Sequence, residues 1–360
     1  MTRNVPTRLP RSARGPLRVL FVTTSMPVGG AETLLVNLVR SLDRRHIIPE
    51  ICCLKEPGVL GTMLSKQMPV HFGLIDHKFD WRVLGRLHRL LNGRQIDAVV
   101  TVGAGDKMFW GRLAAWRAGI PVILSALHST GWPDGVTTMN RWLTPITDGF
   151  IAVARSHGQF LVDREGFPQA KVAVIPNGID TNRFCPSPAS RSAVRNGLGI
   201  QPDALLFGVV AALRPEKNLS VFIRAAAEYQ QRDPAARFVI VGDGPERARL
   251  EAEAVALNTR IAFLGSRPDV DRLLPALDVF TLTSKMEASP VSILEAAACG
   301  VPVVATNVGS IGETILPGQN GYLVPVDDVD AIVAAWSELA ADRERRDRKS
   351  TRLNSSHIPL

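Results

Sequence analysis

The sequence predicts an α/β protein made of two doubly wound, Rossmann-like domains in series. Three observations lead there. Short apolar runs of strand length alternate with stretches of helical spacing from end to end, the pattern of βα units and parallel sheets. The pattern starts afresh midway, after a Pro/Ser-rich stretch at residues 185–190 that reads as a linker. At 360 residues, 46% hydrophobic and 21% charged, the chain has a globular composition but is too long for one ordinary core. Two such domains are expected to face each other across a cleft lined by strand C-terminal ends, the edge at which open α/β sheets bind ligands.

The first domain is expected over residues 17–185. Residues 17–24, LRVLFVTT, make a first buried strand. A Pro/Gly turn at 26–31 leads into a helix at 32–42, where Leu34, Leu35, Leu38 and Leu42 keep helical spacing. Further strands are expected at 47–54, 70–72, 98–102, 122–125 and 150–153, with helical stretches such as 81–91 and 109–118 between them. A strand at 172–175 closes this half, and PNGID at 176–180 turns the chain away.

The second domain is expected over residues 186–346. A strand at 205–211 runs into LRPEKN and a helix at 219–231. A strand at 238–241 ends in GDGPE, where Pro245 suits a helix start ahead of residues 247–256. Strands at 261–264, 279–282 and 301–305 follow, and a last helix at 328–340.

The formal net charge is +8, with the excess concentrated at the ends. Arg3, Arg8, Arg11, Arg14 and Arg18 come before or at the first strand, so residues 1–16 are expected to be a disordered basic leader. No aromatics interleave these charges, which argues against nucleic acid as a partner; an anionic membrane surface suits such an arm better. A basic start followed by LRVLFVTTSMPV has the look of a signal peptide, but Arg18 interrupts it and GGAE follows without a cleavage site. No apolar run reaches membrane-span length. Cys52, Cys53, Cys185 and Cys299 form no C-x-x-C pair and no zinc spacing, which fits reduced thiols and a cytoplasmic location. Residues 347–360, DRKSTRLNSSHIPL, lack apolar periodicity. Residues 347–357 match one reading frame of a common sequencing-adapter oligonucleotide, so a non-native tail is expected, with the native chain continuing past about Arg346. Without that tail the charge is +6.

The residues able to carry chemistry gather at strand ends. In SKMEASPVSILEAAACG, residues 284–300, Glu287 lies in a polar loop after a strand and Glu295 lies inside an Ala-rich helical run. Pro290 suits the first helical position, and a helix N-terminus attracts anions. Two carboxylates beside an anion site suit the hydroxyls of a sugar and a ribose; the plain alternative is a solvated loop acid and a locally paired one. Arg214 and Lys217 follow the strand at 205–211, where a guanidinium fork and an ammonium would clamp a diphosphate. Gly29 and Gly30 follow the first strand and precede a helix, giving either close backbone approach to a ligand or an ordinary βα turn. Glu32 in the first turn is favoured by the helix dipole in any case. His128 follows the strand at 122–125, at a ligand-facing edge. His46, His71, His77, His88 and His157 have no such placement. Gly103-x-Gly105 and Gly242-x-Gly244 are partial dinucleotide fingerprints without the third glycine, since Met108 and Arg247 stand there.

Taken in order, GGAE, a His after a mid-domain strand, NGID, RPEKN, VGDGPE and E-x7-E followed by CGVPVVATNVGSIGE resemble the retaining nucleotide-sugar glycosyltransferases of family 4, which have the GT-B fold. The resemblance covers about residues 17–340. It implies that Arg214 and Lys217 hold the donor diphosphate, that Glu287 contacts hydroxyls of the transferred sugar, and that Glu295 binds the ribose. It implies that Ala288, Ser289, Pro290 and Val291 bring backbone to sugar and phosphates, that Gly29 and Gly30 line the cleft, and that His128 sits over the donor sugar. A UDP- or GDP-sugar donor, an acceptor that is a lipid-linked or polysaccharide glycan, retention of configuration and no metal or cofactor are the expectations that follow. So is a place in the cytoplasm, peripheral at the inner membrane face. Ala288 and Ser289 depart from the Gly and bulky apolar residue of many relatives. A GT-B epimerase or phosphorylase, and a nicotinamide-dependent dehydrogenase using the partial Gly motifs, are the other readings.

Overall fold

The computed structural model describes residues 15–77, 80–103, 106–128 and 141–341, with side chains described outside 106–108. The leader expected at 1–16 (save Gly15 and Pro16), Gly105 and the tail expected at 347–360 lie outside the described residues. The chain divides into two compact units, Met1–Asn177 and Gly178–Leu360. The division falls ahead of the 185/186 boundary expected from the linker-like composition. The physical reason is that Ile179 and Phe184 pack into the second unit's core.

The first unit is a parallel sheet of order β3-β2-β1-β4-β5-β6-β7. Its strands are β1 Leu17–Thr23, β2 Ile47–Cys53, β3 Val70–His71, β4 Ala98–Val102, β5 Val122–Ala126, β6 Gly149–Ala152 and β7 Val172–Val174. Side chains alternate between faces along a strand, and both faces are covered. Leu20 and Val22 pack with helices Arg82–Gly93 and Asp106–Arg117 through Val83, Leu87, Leu91 and Trp110. Val19 and Phe21 pack with Leu35, Val36 and Val39 of Gly30–Ser41 and Leu64 of Gly58–Leu64. Burial on both faces is why these strands read as largely apolar runs, with Arg18 on β1 and Glu50 on β2 as their charged interruptions. Cys52 and Cys53 go one to each layer.

The second unit has sheet order β10-β9-β8-β11-β12-β13, with β8 Leu206–Val210, β9 Arg237–Val241, β10 Ile261–Gly265, β11 Val279–Leu282, β12 Val303–Thr306 and β13 Gly321–Val324. β13 was not foreseen. Helix Val329–Ala341 lays Trp336 on the sheet among Phe207, Phe222, Tyr229 and Phe238. The indole Nε1 donates to Thr281 Oγ1 at 2.9 Å, so its one polar atom is satisfied. Residues 188–190, expected in a linker, open helix Pro188–Gly197 instead: Ser187 accepts from the Ser190 backbone N–H and Pro188 takes the first helical position. In each unit strand order reverses between two central neighbours, β1/β4 and β8/β11, which are the switch points where such sheets bind ligands. No described helix is long and apolar enough to cross a membrane.

Candidate functional site

Lys217 and Glu287 meet at the second unit's switch point. β8 and β11 are hydrogen-bonded parallel neighbours, so their exit loops emerge side by side. The β8 loop passes Arg214, makes a short 3-10 turn at Pro215–Lys217 and reaches Asn218 in the left-handed conformation before helix Leu219–Arg232. The β11 loop carries Thr283, Ser284 and Glu287. Lys217 Nζ donates to Glu287 Oε1 at 2.6 Å, and Ser284 Oγ donates to the same oxygen at 2.6 Å. Among the described residues, both of these bonds go to Oε1, and Glu287 Oε2 has no hydrogen-bond partner. The lysine is held from behind, because Thr283 Oγ1 donates to the carbonyls of Lys217 and Asn218, each at 3.1 Å.

The next loop along completes the floor. Thr306 at the end of β12 donates through Oγ1 to the Ser284 carbonyl at 2.6 Å. Gly309 follows with φ +57°, and a Cβ there would overlap the Glu287 carbonyl, so only glycine fits. Beside it the Ser310 hydroxyl is buried and has no hydrogen-bond partner among the described residues, and the same holds for Glu216 Oε2 on the β8 loop. Buried polar atoms without partners are uncommon. At the rim, Asp327 after β13 accepts from Asn218 Nδ2 at 2.9 Å and pairs with Lys285 Nζ at 3.3 Å.

Glu295 belongs to a second corner. It lies on helix Val291–Ala298, nine-tenths buried. Burial pushes its carboxyl up to about 7; Arg183 opposes the rise and Asp271 adds to it. The Arg183 guanidinium donates to Asp271 Oδ1 at 2.7 Å and the Pro268 carbonyl at 3.1 Å, and stands over the Phe184 ring. No hydrogen bond joins Glu295 to Glu287. Pro290 is not the first helical residue: it is the extended residue just before it, at φ −72° and ψ 116°, and no side chain caps the helix there. Ala288 and Val291 are buried; Ser289 and Pro290 are half-buried between them.

Arg214 shares the lysine's loop but is exposed, and its guanidinium has no ion pair among the described residues. Gly29 is extended, at φ −158°, and caps helix Gly30–Ser41. It needs no positive φ; a Cβ there would overlap the Glu32 carboxylate. His128 is half-buried, two residues beyond β5. Gly242 and Gly244 serve packing: a Cβ on either would overlap the Ala211 or Leu213 carbonyl in the β8 exit loop. They let the β9 loop support the lysine's loop, which accounts for that Gly-x-Gly without a dinucleotide. Ser284, Thr306, Gly309, Arg183 and Asp327 were not singled out from sequence. Ser284 had one signal, a small polar residue three places before Glu287.

A cation, a carboxylate and a helix start at one switch point suit an anionic ligand that also carries hydroxyls. Residues 190–353 match the family described as glycosyl transferases group 1, and residues 28–183 match glycosyltransferase family 4. The chain is 33% identical to the GDP-mannose-dependent alpha-(1-6)-phosphatidylinositol monomannoside mannosyltransferase of Mycolicibacterium smegmatis, over 73% of this chain and 72% of that protein. It is 28% identical to the UDP-Gal:alpha-D-GlcNAc-diphosphoundecaprenol alpha-1,3-galactosyltransferase of Escherichia coli, over 92% and 90%. The fold matches Anabaena HepE, solved with UDP and glucose, at a TM-score of 0.83 and 23% identity over 94% of both chains. The chain therefore belongs to the GT-B glycosyltransferases, with a family 4 domain followed by a group 1 domain.

Proposed function

We propose that this glycosyltransferase moves a hexose from a UDP- or GDP-sugar to a lipid-linked or polysaccharide glycan, with retention of anomeric configuration. The observation that carries the proposal is the Lys217–Glu287 pair at the β8/β11 switch point. Lys217 and the start of helix Val291–Ala298 receive the diphosphate, whose charge grows as it leaves. The cationic role is met by the chain itself, so no metal is required in the proposal. Glu287 offers Oε2 to the sugar hydroxyls. Glu295, ionised, accepts from the ribose. Backbone at Ala288, Ser289, Pro290 and Val291 lies between them. Arg214 reaches the diphosphate as a second, weaker cation. In the first unit, Gly29, Gly30 and His128 serve the sugar and acceptor. The C1–O bond to the diphosphate breaks as the acceptor oxygen bonds C1 on the same face, and the acceptor proton passes to the departing phosphate oxygen.

UDP- and GDP-linked donors are supported by the donors named for the two relatives, and the lipid-linked acceptor by theirs. A cytoplasmic enzyme touching the inner membrane face follows from that acceptor. The test is transfer from UDP-galactose, UDP-glucose and GDP-mannose to an isoprenoid-diphosphate-linked sugar, with the product anomer read by NMR. An α-linked product from one donor is expected. A β-linked product would overturn retention, and a new sugar nucleotide formed without acceptor would point to epimerisation.

A further inference from the structure

Three of the second unit's strand-end loops are tied by one exposed side chain. Asp327 follows β13 at the sheet edge, yet its carboxylate reaches Asn218 after β8, past the ends of β12 and β11. That is about 14 Å of sheet, at roughly 4.8 Å per strand. The other carboxylate oxygen takes Lys285 Nζ at 3.3 Å, two residues before Glu287. Asn218 adjoins Lys217. The Lys285 amide in turn donates to the Glu216 carbonyl at 2.8 Å, closing a loop of contacts around the lysine and the glutamate. Both Asp327 and Asn218 stand in the left-handed region, at φ +62° and φ +53°, a conformation that costs free energy for any residue but glycine.

We propose that Asp327 is a positioning residue: it straps the Asn218 and Lys285 loops together and so sets Lys217 against Glu287, on the reading that this pair receives the donor diphosphate and sugar. Stability alone does not explain it. Half of each side chain in the Asp327–Lys285 pair faces water, and exposed ion pairs contribute little to stability. A left-handed non-glycine residue is itself unfavourable there. The bonds to Asn218 and Lys285 nonetheless hold the Asp327 carboxyl below the ordinary carboxylate range, so the contacts favour the charged form that makes the strap.

The test compares Asp327→Gly and Asp327→Asn with the wild type. Glycine relieves the backbone and removes the strap. Asparagine tolerates the left-handed region and keeps an acceptor for Asn218. Without any ligand, amide exchange at Asn218 and Lys285 should quicken in Asp327→Gly while the melting temperature stays level or rises. Affinity for UDP or GDP, whichever the wild type binds, should weaken about three- to tenfold, as small misplacements of binding groups do, and Asp327→Asn should recover most of it. Wild-type affinity in Asp327→Gly, or a loss of affinity matched by a lower melting temperature, would overturn the proposal. If the wild type binds neither nucleotide, the donor reading fails on its own, and unchanged amide exchange would then remove the strap as well.

Discussion

Replacing Glu287 with glutamine should tighten nucleoside diphosphate binding while lowering turnover. The Lys217 ammonium is committed to Glu287 Oε1 at 2.6 Å, and both side chains are largely buried, at 22% and 8% exposure. A diphosphate must therefore draw the ammonium away from a carboxylate and sit near that carboxylate's charge. Glutamine still accepts a charge-assisted hydrogen bond from the ammonium but removes the carboxylate's charge, which lowers the competition by about 1 kcal/mol, the upper end for an ion pair that reaches water. Like-charge repulsion at about 5 Å adds up to ~3 kcal/mol at an effective dielectric of about 20, before screening. A net gain of about 1–2 kcal/mol, or roughly five- to thirtyfold in affinity, is expected for UDP or GDP. The intact donor loses the hydroxyl contact to Oε2, so its affinity changes less and turnover falls. Isothermal titration of wild type and Glu287→Gln with UDP, GDP and the intact donor measures this, with turnover alongside. Weaker nucleoside diphosphate binding in the variant would refute the reasoning, since Glu287 would then anchor the lysine rather than compete for it.

Two further predictions follow from buried carboxylates. Glu295 keeps its proton up to about pH 7 when folded, against 4.5 for the ordinary group, so the unfolded chain ionises first. Its stabilising protonated form is fully present below about pH 4.5 and is lost as pH rises through 7, amounting to about 3 kcal/mol at about 1.4 kcal/mol per pKa unit. Glu295→Gln should then melt higher than wild type at pH 8 and nearly level with it at pH 5, while nucleotide affinity falls at pH 8 and changes less at pH 5, where the wild-type carboxyl is already neutral; no pH dependence in the difference would contradict the assignment. In the first unit Glu50 is fully buried and accepts from Arg94 at 2.9 and 3.1 Å, with His71 at 2.9 Å and Arg18 beside it. Burial pushes this carboxyl up, but the bonds from Arg94, His71 and Arg18 outweigh it and hold it below its usual value. Glu50→Ala should cost about 2–4 kcal/mol at pH 7, under the full range for buried pairs because its partners reach water. That difference should shrink as pH falls below about 4.5, as urea denaturation at pH 7 and pH 3.5 would show.

The strands were legible because a strand buried on both faces must be largely apolar, and β4, β8 and β11 read that way, as does β1 after Arg18. β13, Gly-Tyr-Leu-Val, is as long as β11 but opens on glycine and has two half-buried residues, so it makes no apolar run of its own. The start of Pro188–Gly197 reads as a linker in the sequence because Ser and Pro mark loops and helix starts alike. Glu287 and Lys217 stood out as charged residues at strand ends, but their pairing spans 70 positions of sequence and follows only from β8 lying beside β11. Asp327 is further from Asn218, by 109 positions, and nothing local distinguishes it from the Asp328 beside it. Arg183 lies between the turn expected at 176–180 and the linker-like stretch at 185–190, and nothing in its own segment points to its place beside Glu295.

The central claim is that the β8/β11 strand ends hold a nucleoside diphosphate sugar through Lys217. Isothermal titration of wild type and Lys217→Ala with UDP, GDP, ADP and NAD at matched concentrations tests it most directly. One of UDP and GDP should bind the wild type, and Lys217→Ala should bind it about ten- to a hundredfold more weakly, the loss of one hydrogen bond to a charged group. Equal binding by both proteins, or binding of NAD alone, would contradict the claim.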